Sequence, residues 1–454
     1  MPYAMAKTIK LTKGFDIKLE GEALRFTKKN EISRNFAIKP LDFKGITPKL
    51  IVEQGSEVKA GDPLFYAKEN EQIVFTSPVS GEVIEIKRGE KRVILEIVIL
   101  SDAQSSYKDF GTADPKQLTK EEVSSKMLSS GVWPLLRQRP FNKIADANHP
   151  PRSIFISGFD SAPLGVDYNY ILNGQSKDFQ AGIDALSKLT EGKVYLNLSK
   201  RLNNCDTLEN AHGVVKTYFD GPHPSGNVGV QIHHLDPVIT KNDIVWFINP
   251  QDVLVVGRLF NTGKYDARKL VALAGSEVIN KQYYEMLIGS NVSSILDQNI
   301  QSGNQRVISG NVLTGTKISA DGYLGYYDSL VTVIPEGDDE EFLGWLLPSY
   351  PRPSISMTMP SFIFPEKKYK VNTNMHGEER AFVVTGDYEK VLPMDIMPLQ
   401  LIKACMANDI ENMESLGLYE VGPEDMALCE FICTSKAPIQ EIIESGLTYL
   451  EKEA

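Results

Sequence analysis

Three groups of side chains in this sequence have the types and spacing that chemistry needs. His223, His233, His234 and Asp236 form the densest ionisable group. Histidine titrates near neutral pH, so such a group would hold a metal ion or pass a proton. The stretch from Gly221 to Pro237 is rich in Pro and Gly at its start and shows no HxxxH or HxH register. Neutral histidines bonded to backbone in a loop are the expected reading. The second group is Trp133, Arg137, Arg139 and Phe141. A flat ligand bearing carbonyl oxygens wants planar apolar contacts and a hydrogen-bond donor, and these side chains supply both. They would equally serve packing or the docking of another chain. The third group is Cys429 and Cys433, with Cys405 distant. A [4Fe–4S] cluster takes four thiolates, and zinc would need histidine closer than His376. The expectation is a buried helical core rather than a metal centre.

The elements that must position these groups follow from hydrophobic pattern. The chain has 454 residues, enough for several domains. Residues 1–105 are β-rich and end in the alternation Val93 to Leu100. After a polar linker, Thr119 caps a helix opened by Lys120-Glu121-Glu122. From 106 to 265 strands alternate with helices: Ser153–Ser157, a helix through Phe179, Ile183, Leu186 and Leu189, then Lys193–Asn197. That βαβ rhythm argues a parallel α/β layer. Residues 266–337 return to strands. Residues 338–454 give a Pro- and aromatic-rich connector, Leu343 to Pro365, and a helical end.

Composition excludes several classes. Net charge is -11, and no basic patch beyond Lys87, Arg88, Lys91 and Arg92 supports nucleic-acid binding. Four cysteines are too few for a disulfide-stapled secreted domain. The first residues lack the apolar core of a signal peptide. The most apolar segment, Ile244 to Phe260, is broken by Asn249-Pro250-Gln251-Asp252, so no membrane helix is expected. No GxGxxG follows a strand, which leaves a Rossmann nucleotide site unsupported.

Residues 45–86 resemble a biotinyl/lipoyl carrier hairpin pair. The resemblance puts the modified lysine 11 residues before Gly81, at Asn70, which cannot form the amide; Lys68 is two positions out. The module is therefore expected to be structural.

The order of domains, and five stretches, resemble the A-subunit family of the Na+-translocating NADH:quinone oxidoreductases. These are Gly221-Pro222-His223-Pro224-Ser225-Gly226-Asn227 running on to His233-His234-Leu235-Asp236-Pro237, Ile248 to Val253, Arg306 to Gly310, Gly131-Val132-Trp133, and Arg137 to Phe141. More distantly the chain is similar to the C subunit of Rnf complexes and to the flavoprotein subunit of respiratory complex I. The resemblance implies an α+β multidomain fold: a carrier-like barrel-sandwich (1–105), a Rossmann-like α/β domain (106–265), a β-grasp domain (266–337), and a connector with a helical domain holding a degenerate ferredoxin-like segment (338–454). It implies a peripheral subunit on the cytoplasmic face of the bacterial inner membrane, in a six-subunit complex that oxidises NADH, reduces quinone and exports Na+. Partners would include a membrane-embedded flavin subunit, with flavins and the iron–sulfur centre held by partner subunits. Two departures matter. Flavin-binding relatives carry a GxGGAxFP loop where this chain has Trp133-Pro134-Leu135-Leu136-Arg137-Gln138-Arg139-Pro140-Phe141, without glycine, so no flavin or nucleotide is expected on this chain. The cysteine clusters of the Rnf C subunit are reduced to Cys429 and Cys433. Quinone contact or subunit docking is then the expectation for Trp133, Arg137, Arg139, Phe141, His223, His233 and His234.

Overall fold

The computed structural model describes residues 7–29, 33–102, 104–337, 353, 355 and 363–453. Its first strands are β1 (Lys7–Lys10), β2 (Leu24–Lys28), β3 (Asn35–Ile38), β4 (Pro48–Leu50), β5 (Glu57–Val58), β6 (Pro63–Ala67), β7 (Asn70–Thr76), β8 (Gly81–Arg88) and β9 (Ile94–Ser101). One sheet runs β3-β9-β8-β5 and a second β4-β6-β7. Inward residues Phe65, Phe75, Val83, Ile97 and Ile99 are buried, and the Phe65 and Phe75 rings stack at 4.4 Å. The β6–β7 turn is Lys68-Glu69, because the register shifts between Tyr66 and Ala67 and pairs Ala67 with Asn70. Asn70 thus lies one residue past the tip, and an exposed lysine occupies the turn itself.

The block 1–105 does not stay together as expected. β1 leaves to become the edge of the next sheet, and β2 leaves for the third. Apolar alternation marks a strand but does not name its neighbour.

The α/β unit holds α1 (Lys120–Ser130), β10 (Arg137–Arg139), β11 (Lys143–Ile144), β12 (Ser153–Ser157), α2 (Tyr168–Ile171), α3 (Ser176–Leu189), β13 (Lys193–Ser199), α4 (Asp206–Glu209), β14 (Val215–Asp220), α5 (Val228–Leu235), β15 (Val245–Ile248) and α6 (Pro250–Thr262). Thr119 and Glu122 close a capping box on α1. The sheet order is β1-β14-β13-β12-β15-β10-β11; β1, β14, β13, β12 and β15 run parallel, β10 runs antiparallel to β15, and β11 antiparallel to β10. Helices α3 and α6 pack closely on one face. A side chain at Gly182 would collide with the Val253 carbonyl, and one at Gly257 with that of Asp178. Only glycine permits that approach.

The third unit is β16 (Arg268–Ala274), β17 (Gln282–Leu287), α7 (Ser293–Leu296), β18 (Gln305–Ser309), β19 (Thr316–Ile318) and β20 (Leu330–Pro335), in the order β19-β18-β20-β16-β17-β2. It is locked to α6: Lys269 Nζ lies 2.7 Å from Asp252, both 1% exposed, and Gln251 bonds the Leu270 backbone and Ser329. The chain ends in α8 (Tyr388–Val391), α9 (Pro398–Ala407), α10 (Ile410–Ser415), α11 (Ala427–Ile432) and α12 (Ile439–Glu453). The connector expected over 343–365 falls almost entirely outside the described residues. No helix among the described residues is long and apolar enough to cross a membrane.

Candidate functional site

Ligands in open parallel sheets sit outside the carboxyl ends of the strands, where the order reverses. Here that point lies between β12 and β15. From β12 the chain crosses to β13 on one side, while β15 joins on the other. Four segments meet there. The loop after β12 carries Asp160 and leads to Tyr168, at the first position of α2. Asn249 follows β15 and caps α6, whose N-terminal N–H groups point the same way. Antiparallel β10 sets Arg137 opposite Phe247 near the end of β15. Tyr327 arrives from the third unit.

Arg137 is the centre of this cluster. Its guanidinium lies between two rings, 4.6 Å from the Phe247 centroid and 4.5 Å from that of Tyr327. The Tyr327 hydroxyl donates to the Pro134 carbonyl at 2.8 Å, which fixes that ring. One Arg137 N–H makes a long bond of 3.4 Å to Asn249 Oδ1, and the buried Nε finds no acceptor among the described residues. The group is held flat by cation–π contact with its donor edge largely unspent.

The other expected residues point elsewhere. Trp133 is core: its indole donates to the Ala145 carbonyl at 2.8 Å, and its ring meets Trp246 edge-on at 5.4 Å. Arg139 is 0% exposed and reaches Glu424 at 2.7 Å and Asp425 at 3.3 Å in the helical end. Two carboxylates thereby share one buried guanidinium. The Arg139 charge holds Glu424 below its ordinary range, while burial and the neighbouring Glu424 push Asp425 up to about 7. Asp425 also accepts from the Gly422 N–H and Asn227. Phe141 meets Tyr419 edge-on at 5.7 Å.

The histidines do not form one group, and the loop expectation fails for two of them. His233 and His234 close helix α5, which starts at Val228 right after the Gly/Pro turn and buries Val230, Gln231 and Ile232. Asp236 turns away, to Arg152 and Ser153. The His233 Nε2 accepts from the Asp395 N–H at 2.9 Å, so its proton sits on Nδ1, 2.7 Å from Glu420. His234 Nε2 donates to the Pro393 carbonyl at 2.9 Å, and burial lowers its pKa. Both histidines dock the helical end onto the α/β unit. His223 stands apart and buried. The Gly226 N–H donates to Ser161 Oγ, whose hydroxyl faces His223 Nδ1 at 3.0 Å. Burial lowers this histidine to about 4, so it is neutral, and its Nε2 has no partner among the described residues.

The thiols are core, as expected. Burial pushes Cys405 up to about 12 and raises Cys429, while Cys433 accepts from the Tyr388 hydroxyl at 3.0 Å. The described residues hold no cluster of three or more metal-ligating side chains. Of the expected set only Arg137 lies at the carboxyl end of β15, against Phe247, Tyr327 and Asn249. Asn249 and Tyr327 were not legible as site residues; position after a parallel strand was the one available signal for Asn249.

Family models match three stretches: an NqrA N-terminal barrel-sandwich hybrid domain over residues 9–102, an NqrA second alpha/beta domain over 118–265, and an NQRA C-terminal domain over 270–320. The A-subunit of the Na(+)-translocating NADH-quinone reductase of Serratia proteamaculans is 37% identical over 452 residues, covering 98% of this chain and 100% of its own. That of Pasteurella multocida is 37% identical over 448 residues, with the same coverage. Among solved structures, an NAD+-reducing [NiFe]-hydrogenase in the H2-reduced state is 15% identical over 49% of this chain and 48% of its own; at a TM-score of 0.34 it carries no argument.

Proposed function

Since this chain belongs to the A-subunit family of the Na+-translocating NADH-quinone reductases, we propose that it serves that enzyme complex as a peripheral subunit which contacts the quinone head group and carries no redox cofactor of its own. Its partners are the complex's other subunits. We place it on the cytoplasmic face of the bacterial inner membrane, docked on a membrane-embedded flavin subunit in a six-subunit assembly, with the isolated chain inactive.

One observation carries the quinone reading: the clamped Arg137 guanidinium presents unspent donors at the carboxyl-end crevice. A carbonyl oxygen is the acceptor such an edge lacks. The same residues argue against flavin. The segment that would have to approach an isoalloxazine and its phosphate closely is filled by Trp133, Arg137 and Arg139. The mixed order β17-β16-β20-β18 supports a β-grasp reading of the third unit, and the buried Cys429 and Cys433 a ferredoxin-like segment that has lost its cluster.

Titration of the full chain with a short-chain, water-soluble benzoquinone tests the reading. Saturable binding that Arg137→Ala abolishes and Phe141→Ala leaves intact is expected. Absence of saturable binding in the wild type would leave the second reading, a purely docking role. Flavin absorbance, iron, or an intact mass above the sequence value would each sink the cofactor-free claim; the last would point to acylation of Lys68.

A further inference from the structure

We propose that a polar cavity between the first and third units binds a phosphorylated polyol. Its volume is about 450 Å3, within the range of small-molecule sites. Backbone pairing between the units builds it. The Asn291 N–H donates to the Asn35 carbonyl at 3.1 Å and the Ala37 N–H to the Gly289 carbonyl at 2.8 Å, which ties β3 to the loop after β17. Asn291 also pairs with Tyr323, and its amide donates to the Asp321 carbonyl at 2.5 Å, which brings the loop after β19 to the same place. Lys87 of β8 lines the cavity too, with Nζ 5.9 Å from the Tyr323 ring centroid. No lining residue belongs to the Arg137 cluster, so this site stands apart from the quinone reading.

The groups on the wall select the ligand. Two cations line it, Arg34 and Lys87. Arg34 is exposed and has no hydrogen-bond or ion-pair partner among the described residues. Lys87 donates to Glu96 at 2.8 Å, and its ammonium has further N–H donors to give. A guanidinium fork beside an ammonium matches the oxygens of a phosphate. The other groups accept. Ser33 donates its proton to the Asn35 carbonyl at 2.8 Å and Ser293 to Asn291 Oδ1, so both can offer a ligand only oxygen lone pairs. Asn35 Oδ1 is buried without a partner among the described residues, and the exposed Asp321 lies on the same wall. Hydroxyl donors are what these oxygens lack, and a buried acceptor left unmet costs free energy. A bare anion would leave them unmet. A metal ion would face two cations with one carboxylate, and a flat apolar ring would find only the Tyr323 ring beside Lys87. A polyol carrying a phosphate answers both parts of the wall. Its source is a soluble polyol phosphate or the glycerophosphate headgroup of a lipid.

Calorimetric titration of the full chain with glycerol 3-phosphate, inorganic phosphate and glycerol tests the site, with flotation on phosphatidylglycerol vesicles as the lipid arm. Saturable binding of glycerol 3-phosphate, tighter than that of inorganic phosphate, is expected. Arg34→Gln should weaken it about tenfold or more, the span of a charge-assisted hydrogen bond, with the thermal midpoint unchanged. Lys87→Gln, at a second exposed position, should weaken it in the same direction. Asn35→Ala should erase the preference over inorganic phosphate. Flotation on phosphatidylglycerol vesicles that glycerol 3-phosphate displaces assigns the lipid as source; binding without flotation assigns the soluble compound. No saturable binding of glycerol 3-phosphate together with no flotation would overturn the proposal. So would binding that Arg34→Gln leaves unchanged, or flotation equally strong on phosphatidylserine vesicles, which would show charge attraction alone.

Discussion

At the scale of single residues, charge burial decides what the arginines do. Arg137 and Arg139 are two apart on β10 and both lie near the Phe247 ring, yet one lies against Tyr327 and the other meets the acids Glu424 and Asp425. Removing Arg139 strands Glu424 and Asp425, so Arg139→Met should cost about 3–5 kcal/mol in urea unfolding. Asp425 adds a pH dependence of defined sign. Its folded pKa, about 7, stands above the ordinary 3.8, so the folded chain holds a proton that the unfolded chain releases. That contribution is full at low pH and is lost as pH rises towards 7. Urea midpoints at pH 5 and pH 8 should therefore differ more in wild type than in Asp425→Asn; equal differences would refute the assignment. His233 offers a direct observable. Its imidazole nitrogens should show the Nδ1–H tautomer by 15N NMR, and Glu420→Gln should weaken protection of α9 from hydrogen exchange.

At the scale of elements, close approach matters more than propensity. The α3–α6 contact rests on Gly182 and Gly257, where the facing backbone leaves no room for a methyl group. Gly257→Ala should lower stability by about 1–3 kcal/mol, read as a fall in Tm, with Ser187→Ala on the facing helix α3 as a mild control. Much of this level was legible. The capped helix at Thr119, the strands Ser153–Ser157 and Lys193–Asn197, the latter running on to Ser199, and the helix between them follow from pattern alone. The partners of β1 and β2 did not, because a short exposed strand carries no record of which edge it joins.

At the scale of the whole molecule, the units are fastened by buried polar contacts rather than left as beads on a linker. Lys269 and Asp252 pair across the α/β and third units, and the Tyr326 N–H donates to Asp42 across the first and third. Burial pushes Asp42 up to about 6. Lys269→Met leaves Asp252 unpaired and should cost about 3–5 kcal/mol, with limited proteolysis opening first between α6 and β16. Cleavage no faster than in wild type would show that the joint does not depend on this pair.

By itself the sequence determined the family, an α+β multidomain chain, a Trp133–Phe141 stretch without glycine, and a helical end that carries Cys405, Cys429 and Cys433. These are local facts, set by residue type and spacing. Tertiary structure decided the rest. It split one run of aromatics and arginines among three destinations, turned His233 and His234 into a docking contact, and brought Asn249 and Tyr327 around Arg137. The reason is geometric: alternate residues of a strand meet whatever the neighbouring elements present, and those neighbours lie tens to hundreds of residues away in the chain.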